Sequence, residues 1–120
     1  MYEVSQRFFF EAAHTLEREI EAEASRRIHG HTYDAEVSLQ GEPDPRTGMV
    51  VDLGHLRRNL ALLRDKLDHT LLDDLEGLGV PTLENLCAYI ARFLRAAGYE
   101  VSRVAVWRER TGDRCELRLR

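Results

Sequence analysis

Two alternating segments carry three histidines on their apolar rows, and this constrains the fold more than any other feature of the chain. Tyr2, Val4, Phe8, Phe10 and Ala12 share one parity, and His14 falls on it. Glu3, Ser5, Arg7 and Glu11 take the other, with Phe9 as an exception. Successive strand side chains point to opposite faces, so the segment reads as a strand with one buried face. Farther on, Tyr33, Ala35, Val37 and Leu39 alternate with Thr32, Asp34, Glu36, Ser38 and Gln40. His29 and His31 lie on the apolar row just ahead of them. If the two strands pair, all three imidazoles extend core-facing rows into a cavity at the strand ends.

Imidazoles two apart on a strand point the same way. A third from a neighbouring strand completes an open tripod, the arrangement of a catalytic zinc rather than a structural one. Neutral imidazoles without a thiolate suit Zn2+ ahead of iron, nickel or copper. Three protein ligands leave a position for water or substrate hydroxyls, where the metal lowers a hydroxyl pKa or polarises a carbonyl. The His-x-His pair alone carries less weight, because strand histidines are often satisfied core residues.

The rest of the chain supplies a core for these strands. Gly41 to Gly48 is a turn cluster, and Met49-Val50-Val51 a short extended run. Asp52 is a helix N-cap candidate, followed by Leu53, Leu56, Leu60, Leu63 and Leu67 at helical spacing. After breaks at Gly77, Gly79 and Pro81, Thr82 can cap a second helix with Leu83, Leu86, Cys87, Ile90 and Leu94 on its apolar side. Gly98 fits its C-terminal stop. Two strands are predicted last, Val101 to Glu109 and Cys115 to Leu119. Between the first two strands, Leu16 to Ile28 is compatible with a short helix or a mobile loop. The order β-β-α-α-β-β predicts an α+β domain over 1–120, an antiparallel four-stranded sheet with two helices on one face. So small an open sheet has exposed edges, and pairing them between subunits into a closed barrel would remove them.

A net charge of −4 argues against non-specific nucleic-acid binding. No apolar run is long enough to span a bilayer, and the charged start Met1-Tyr2-Glu3 does not read as a signal peptide, which points to the cytoplasm. Cys87 and Cys115 read as two buried reduced thiols.

Other candidates lie outside the tripod. Asp68 and His69 are adjacent, and neighbours on a regular helix do not face each other. They can meet only if the helix has ended, or through partners elsewhere in an oligomer. A carboxylate that orients an imidazole makes it a better proton carrier near neutral pH. The plainer alternative is a solvated helix end. Glu109 shares parity with Ala105 and Trp107 and is expected to point inward, where a ligand with two parallel N–H donors would suit it. A salt bridge with Arg108 or Arg110 is the competing reading. His55 lies off its leucine stripe and reads as exposed. Arg26 and Arg27 fit a phosphate site or a solvated turn.

Taken together these motifs resemble the 6-pyruvoyltetrahydropterin synthase / 6-carboxytetrahydropterin synthase family. Phe10-Glu11-Ala12-Ala13-His14 is similar to its first motif and His29-Gly30-His31-Thr32-Tyr33 to its H-G-H-x-Y. Gly48-Met49-Val50-Val51-Asp52-Leu53 resembles G-x-V-x-D-[FL], Leu67-Asp68-His69-Thr70-Leu71-Leu72 resembles L-D-H-x-x-L, and Pro81-Thr82-Leu83-Glu84 resembles P-T-x-E. Glu109 resembles its late-strand glutamate. The short length is more like the bacterial carboxytetrahydropterin branch.

The resemblance implies the tunnelling fold (T-fold), with trimeric barrels stacked into homo-hexamers and active sites at subunit interfaces. It implies zinc on His14, His29 and His31, an Asp68–His69 proton shuttle, and a dihydropterin anchored by Glu109 with Thr82 nearby. Arg27 corresponds to the family's arginine before H-G-H and is a candidate triphosphate ligand. The implied substrate is 7,8-dihydroneopterin triphosphate, on a route to queuosine. One departure stands out. The branch carries a catalytic cysteine in C-x-x-x-H-G-H, and here that position is Ser25. Glu23 is a candidate substitute base, since some relatives use a glutamate upstream of H-G-H. Three readings follow: a lyase making 6-carboxytetrahydropterin; altered chemistry, either side-chain epimerisation or cleavage to 6-hydroxymethyldihydropterin; or a non-catalytic pterin-binding homologue.

Overall fold

The computed structural model describes the whole chain, Met1–Arg120. Its elements run β1 (Tyr2–His14), α1 (Ala22–Arg26), β2 (His29–Gly41), α2 (Leu53–Leu67), α3 (Leu83–Ala96), β3 (Val101–Arg108) and β4 (Asp113–Arg118). A 3-10 turn at Leu72–Asp74 precedes α3. The strands form one antiparallel sheet in the order β1-β2-β3-β4. The expected α+β sheet is thus what the sequence folds into. The stretch left open between helix and loop contains the five-residue α1. Val50 and Val51 form a bend instead of an extended run. No helix is long and apolar enough to cross a membrane.

Helices α2 and α3 begin where the caps were read. Asp52 accepts the Gly54 N–H at 2.8 Å, and Thr82 Oγ1 accepts the Asn85 N–H at 3.1 Å. Each satisfies a donor that the first helical turn leaves unpaired. Gly98, at φ 94°, ends α3 and lets the Tyr99 N–H reach back to the Leu94 carbonyl at 3.1 Å. Leu56, Leu60, Leu63 and Leu67 of α2 are buried, as are Leu86, Cys87, Ile90 and Leu94 of α3. They pack on the sheet row built from Phe10, Ala12, Tyr33, Ala35, Val37, Val104 and Val106. Each large apolar side chain buried this way contributes about 1.5–3 kcal/mol.

The opposite sheet face is a ladder of charge. Arg7 pairs with Glu36 at 2.8 Å, and Arg103 reaches both Glu3 at 2.8 Å and Glu116 at 3.0 Å. Trp107 lies between the guanidinium groups of Arg7 and Arg114, 5.5 and 4.8 Å from its ring centroid. Phe9, the exception to the alternation, is on this face and half-exposed, with Arg64 4.9 Å from its ring.

This parity corrects the reading of Glu109. The row of Ala105 and Trp107 faces away from the helices, and β3 ends at Arg108. Glu109 is the first residue of the following turn and is exposed. The inward row of β3 is Val104, Val106 and Arg108.

Two features of the sheet position the site. β3 pairs with β2 only from Asp34 to Leu39, so Glu11–His14 and His29–Thr32 run past it as a two-stranded ribbon. In that ribbon His14 lies opposite His29, and Ala12 opposite His31. The chain after α2 then docks on the outer edge of β1. Ala13 N–H donates to the Thr70 carbonyl at 2.9 Å, and His69 N–H to the Glu11 carbonyl at 2.6 Å.

Candidate functional site

The three histidines converge. Their nearest ligand atoms all lie within 4.8 Å of one another, and the His14 and His31 Nε2 atoms are 3.0 Å apart. His14 is fully buried, while His29 and His31 are half-buried toward open cavities. Pro81 offers its carbonyl to His14 Nδ1 at 2.9 Å, and Arg27 offers its own to His29 Nδ1 at 2.8 Å. A carbonyl only accepts, so each Nδ1 carries a proton and each Nε2 is the nitrogen left to face a metal. That outer-shell arrangement orients histidine ligands toward a metal.

The donor set therefore fits a metal on chemical grounds. Tetrahedral zinc with nitrogen ligands at 2.0–2.1 Å needs N···N edges of about 3.3 Å. The His14–His31 pair is already near that spacing. His31 Nε2 also lies 3.4 Å from Arg108 Nη1. If His31 accepts from Arg108, its lone pair faces that of His14, and a cation between them relieves the repulsion.

Electrostatics favour the neutral, ligating form of His14 and His31. Burial first, then the Arg108 charge and the other imidazoles, push His31 down to about 4. Burial likewise lowers His14 below its ordinary value of 6.5. Tyr33 forms the floor, stacked on Phe10 at 5.0 Å, and burial raises its phenol to about 12. For metal-free protein a pH dependence follows. The unfolded chain protonates these imidazoles near pH 6.5, the folded chain only lower, so between about pH 6.5 and 4 the unfolded state holds more protons. Stability is present above that window and falls as pH drops through it. Urea titration of chelator-treated protein at about pH 7, 5.5 and 4.5 should show a falling midpoint. A level or rising midpoint would contradict neutral imidazoles.

Beside the tripod lie Asp68 and His69. Helix α2 ends at Leu67, and His69 takes φ 58°, a left-handed conformation that histidine tolerates better than bulkier residues. The turn brings His69 Nδ1 to 2.8 Å from Asp68 Oδ2. Asp68 Oδ1 accepts the Glu11 N–H at 2.8 Å, and Arg64 stands 3.4 Å away. The Glu11 N–H, then the His69 hydrogen bond, with Arg64 adding, hold the Asp68 carboxyl below its ordinary range. His69 is exposed, and it shares with Ala12, His31 and Thr32 the lining of an open cavity of about 560 Å³.

On the other side, Ser25 is buried and lines a cavity of about 570 Å³ together with His29, His31 and Arg108. Glu23 and Arg27 do not line it. They pair with each other at 2.9 Å in solvent, and Arg27 reaches the site only through its backbone carbonyl. Thr82 lies with His14, Tyr33 and Pro81 around a small cavity of about 130 Å³, its hydroxyl engaged in capping α3. Glu109 borders a third cavity with His31, Thr32 and Asp34. His55 is exposed, 3.7 Å from Asp52.

Sequence reasoning missed Arg108 and Arg64. The signal for Arg108 was its parity, a cation on the apolar row of Val104 and Val106. The signal for Arg64 was its place four residues before Asp68 on one helix face.

The chain matches the 6-pyruvoyl tetrahydropterin synthase family over residues 3–119. It is 37% identical over 103 residues to a 6-carboxy-5,6,7,8-tetrahydropterin synthase of Synechocystis, covering 82% of this chain and 78% of that one. To the human 6-pyruvoyl tetrahydrobiopterin synthase it is 34% identical over 102 residues, 73% of this chain and 70% of that one. The solved Caenorhabditis elegans 6-pyruvoyl tetrahydropterin synthase superposes with a TM-score of 0.81 at 26% identity, covering 99% of this chain and 96% of that one. A Plasmodium vivax 6-pyruvoyltetrahydropterin synthase, solved with a catalytic glutamate changed to cysteine, shares the fold at a TM-score of 0.69 and 16% identity, with 98% of each chain covered. A match spanning nearly the whole chain, on a fold held in common, places this protein in the 6-pyruvoyl tetrahydropterin synthase family.

Proposed function

We propose that the chain is a zinc-dependent enzyme acting on the side chain of 7,8-dihydroneopterin triphosphate. Its reaction is carbon–oxygen and carbon–carbon bond cleavage of the 6-carboxytetrahydropterin synthase kind. The observation that carries this reading is His69 and the tripod residue His31 lining one open cavity. Zinc held by His14, His29 and His31 would polarise a side-chain hydroxyl or carbonyl there. The hydrogen bond to Asp68 places the His69 proton on Nδ1 and leaves Nε2 free to take a proton from the substrate. Arg64 and the Glu11 N–H keep Asp68 in position for this.

Glu109 would anchor the pterin from the rim, with Thr82 near the buried end and Arg27 toward the triphosphate. Homo-hexamers with interfacial sites fit the uncovered edge of β4 and the exposure of both His69 and Glu109. The protein would work in the cytoplasm, on the route to queuosine.

Ser25 favours a second reading. It stands beside His29 and His31 where the branch carries cysteine, and a hydroxyl is a far poorer base than a thiolate. Glu23 is turned to solvent, where it pairs with Arg27. With Asp68–His69 as the remaining proton carrier, the chemistry would stop at epimerisation or at cleavage to 6-hydroxymethyldihydropterin.

Chromatography with mass spectrometry of zinc-loaded protein and dihydroneopterin triphosphate separates these. 6-Carboxytetrahydropterin as main product supports the lyase. In Ser25→Cys, a gain of about tenfold or more in that product would show that the native reaction is another one. Pterin binding with no turnover would leave a non-catalytic homologue.

A further inference from the structure

We propose that Arg108 is an oxyanion-binding residue, taking a phosphoryl or carboxylate group of the ligand that enters the cavity beside Ser25, His29 and His31. Arg108 is 8% exposed, at the inward end of β3. One side of its guanidinium is satisfied, with Nη2 bonded to Asp113 at 2.7 Å. The other is not. Nε is sealed from solvent with no hydrogen-bond partner, and Nη1 has only the long 3.4 Å contact to His31 Nε2. A buried arginine keeps its charge, and an under-bonded Nη1 is a charge-assisted donor for an oxygen of an anion.

The contact to His31 is also the one that a tripod ligand removes. Once the His31 lone pair is engaged by a metal, Nη1 loses that acceptor, and a donor of a buried cation stands open. Without a metal, the formal charges around the cavity cancel, Arg18 and Arg108 against Glu21 and Asp113. A divalent cation would leave that space at plus two. An oxyanion from the ligand answers both the open Nη1 donor and the excess charge. An aminopyrimidine edge, which offers N–H donors, finds no acceptor at this guanidinium. The metal-linked part of this inference rests on the zinc reading above; the unsatisfied arginine does not.

Isothermal titration with sodium tripolyphosphate, and separately with glycolate, tests it on the full-length protein with and without zinc. Wild-type protein should bind at least one of the two anions, more tightly when zinc is present. Arg108→Leu should weaken that binding about tenfold or more, and Arg108→Lys should fall between, retaining the charge but not the reach and planar geometry of the guanidinium. Zinc affinity measured without anion should not fall in Arg108→Leu, because a fixed cation beside a ligand has been removed. Circular dichroism melts confirm that each variant is folded. Preference for tripolyphosphate assigns the position to a phosphoryl tail, preference for glycolate to a carboxyl group. Anion affinity unchanged within about twofold in both variants would overturn the proposal and leave Arg108 as the structural partner of Asp113. If the wild-type protein binds no zinc at all, the zinc reading fails, while the anion titrations on metal-free protein still decide the role of Arg108.

Discussion

Replacing His31 with alanine lowers zinc affinity by at least about 100-fold, more than the loss of an outer-shell partner causes. Metal analysis after dialysis should then find about one equivalent per wild-type chain and below about a tenth in the variant. The magnitude follows from geometry. His31 Nε2 stands 3.0 Å from His14 Nε2, and no thiolate or carboxylate belongs to the cluster that could replace it. His29→Ala, a change at the open end of the ribbon, should give the same loss. Full metal content in both variants would mean that the tripod is not the metal site.

His69→Ala should cut turnover by about 100- to 10,000-fold while zinc content stays at its wild-type level. The side chain is exposed into the cavity and supports no core packing, so the fold should tolerate its loss. Asp68→Asn tests the other half. Its Oδ1 still has an oxygen equivalent for the Glu11 N–H, but the charge that Arg64 and His69 share is gone. Turnover should fall by about 10- to 100-fold, as for an orienting partner. Stopped-flow or product assays read both changes, and atomic absorption reads the metal. Loss of zinc together with activity in His69→Ala would show that the dyad serves the metal site and not proton transfer.

Much of this was legible in the chain, for local reasons. Period-two patterning fixed the inward rows of β1 and β2, and therefore the side on which His14, His29 and His31 meet. Caps at Asp52 and Thr82 are decided within three residues of sequence, so both helix starts could be read. Asp68 and His69 were legible only conditionally, because their contact depends on a helix end and a left-handed backbone that tertiary hydrogen bonding holds. Glu109 was misplaced by one strand position. Ala105 and Trp107 are apolar or small yet face the charged side of the sheet, where two arginines flank Trp107, so polarity alone gave the wrong row. Arg108 was hidden for the same reason. Its inward position is set by register with β2, and its role comes from a histidine 77 residues away.

The ribbon that carries the histidines has a consequence for the dynamics of the chain. Beyond Asp34 it has no third strand from β3, and its last rung is His14 opposite His29. Strand ends of this kind open locally below the cost of unfolding the molecule; here the chain after α2 braces β1, while β2 has no neighbouring strand on its other side. A ligand held by both strands at that rung fastens the open end. Amide hydrogen exchange at residues 11–14 and 29–32 would then slow with occupancy of the tripod, while the amides of α2 and β3 would hardly respond. Readiness of this site for chemistry and order of the chain around it would thus be one local equilibrium.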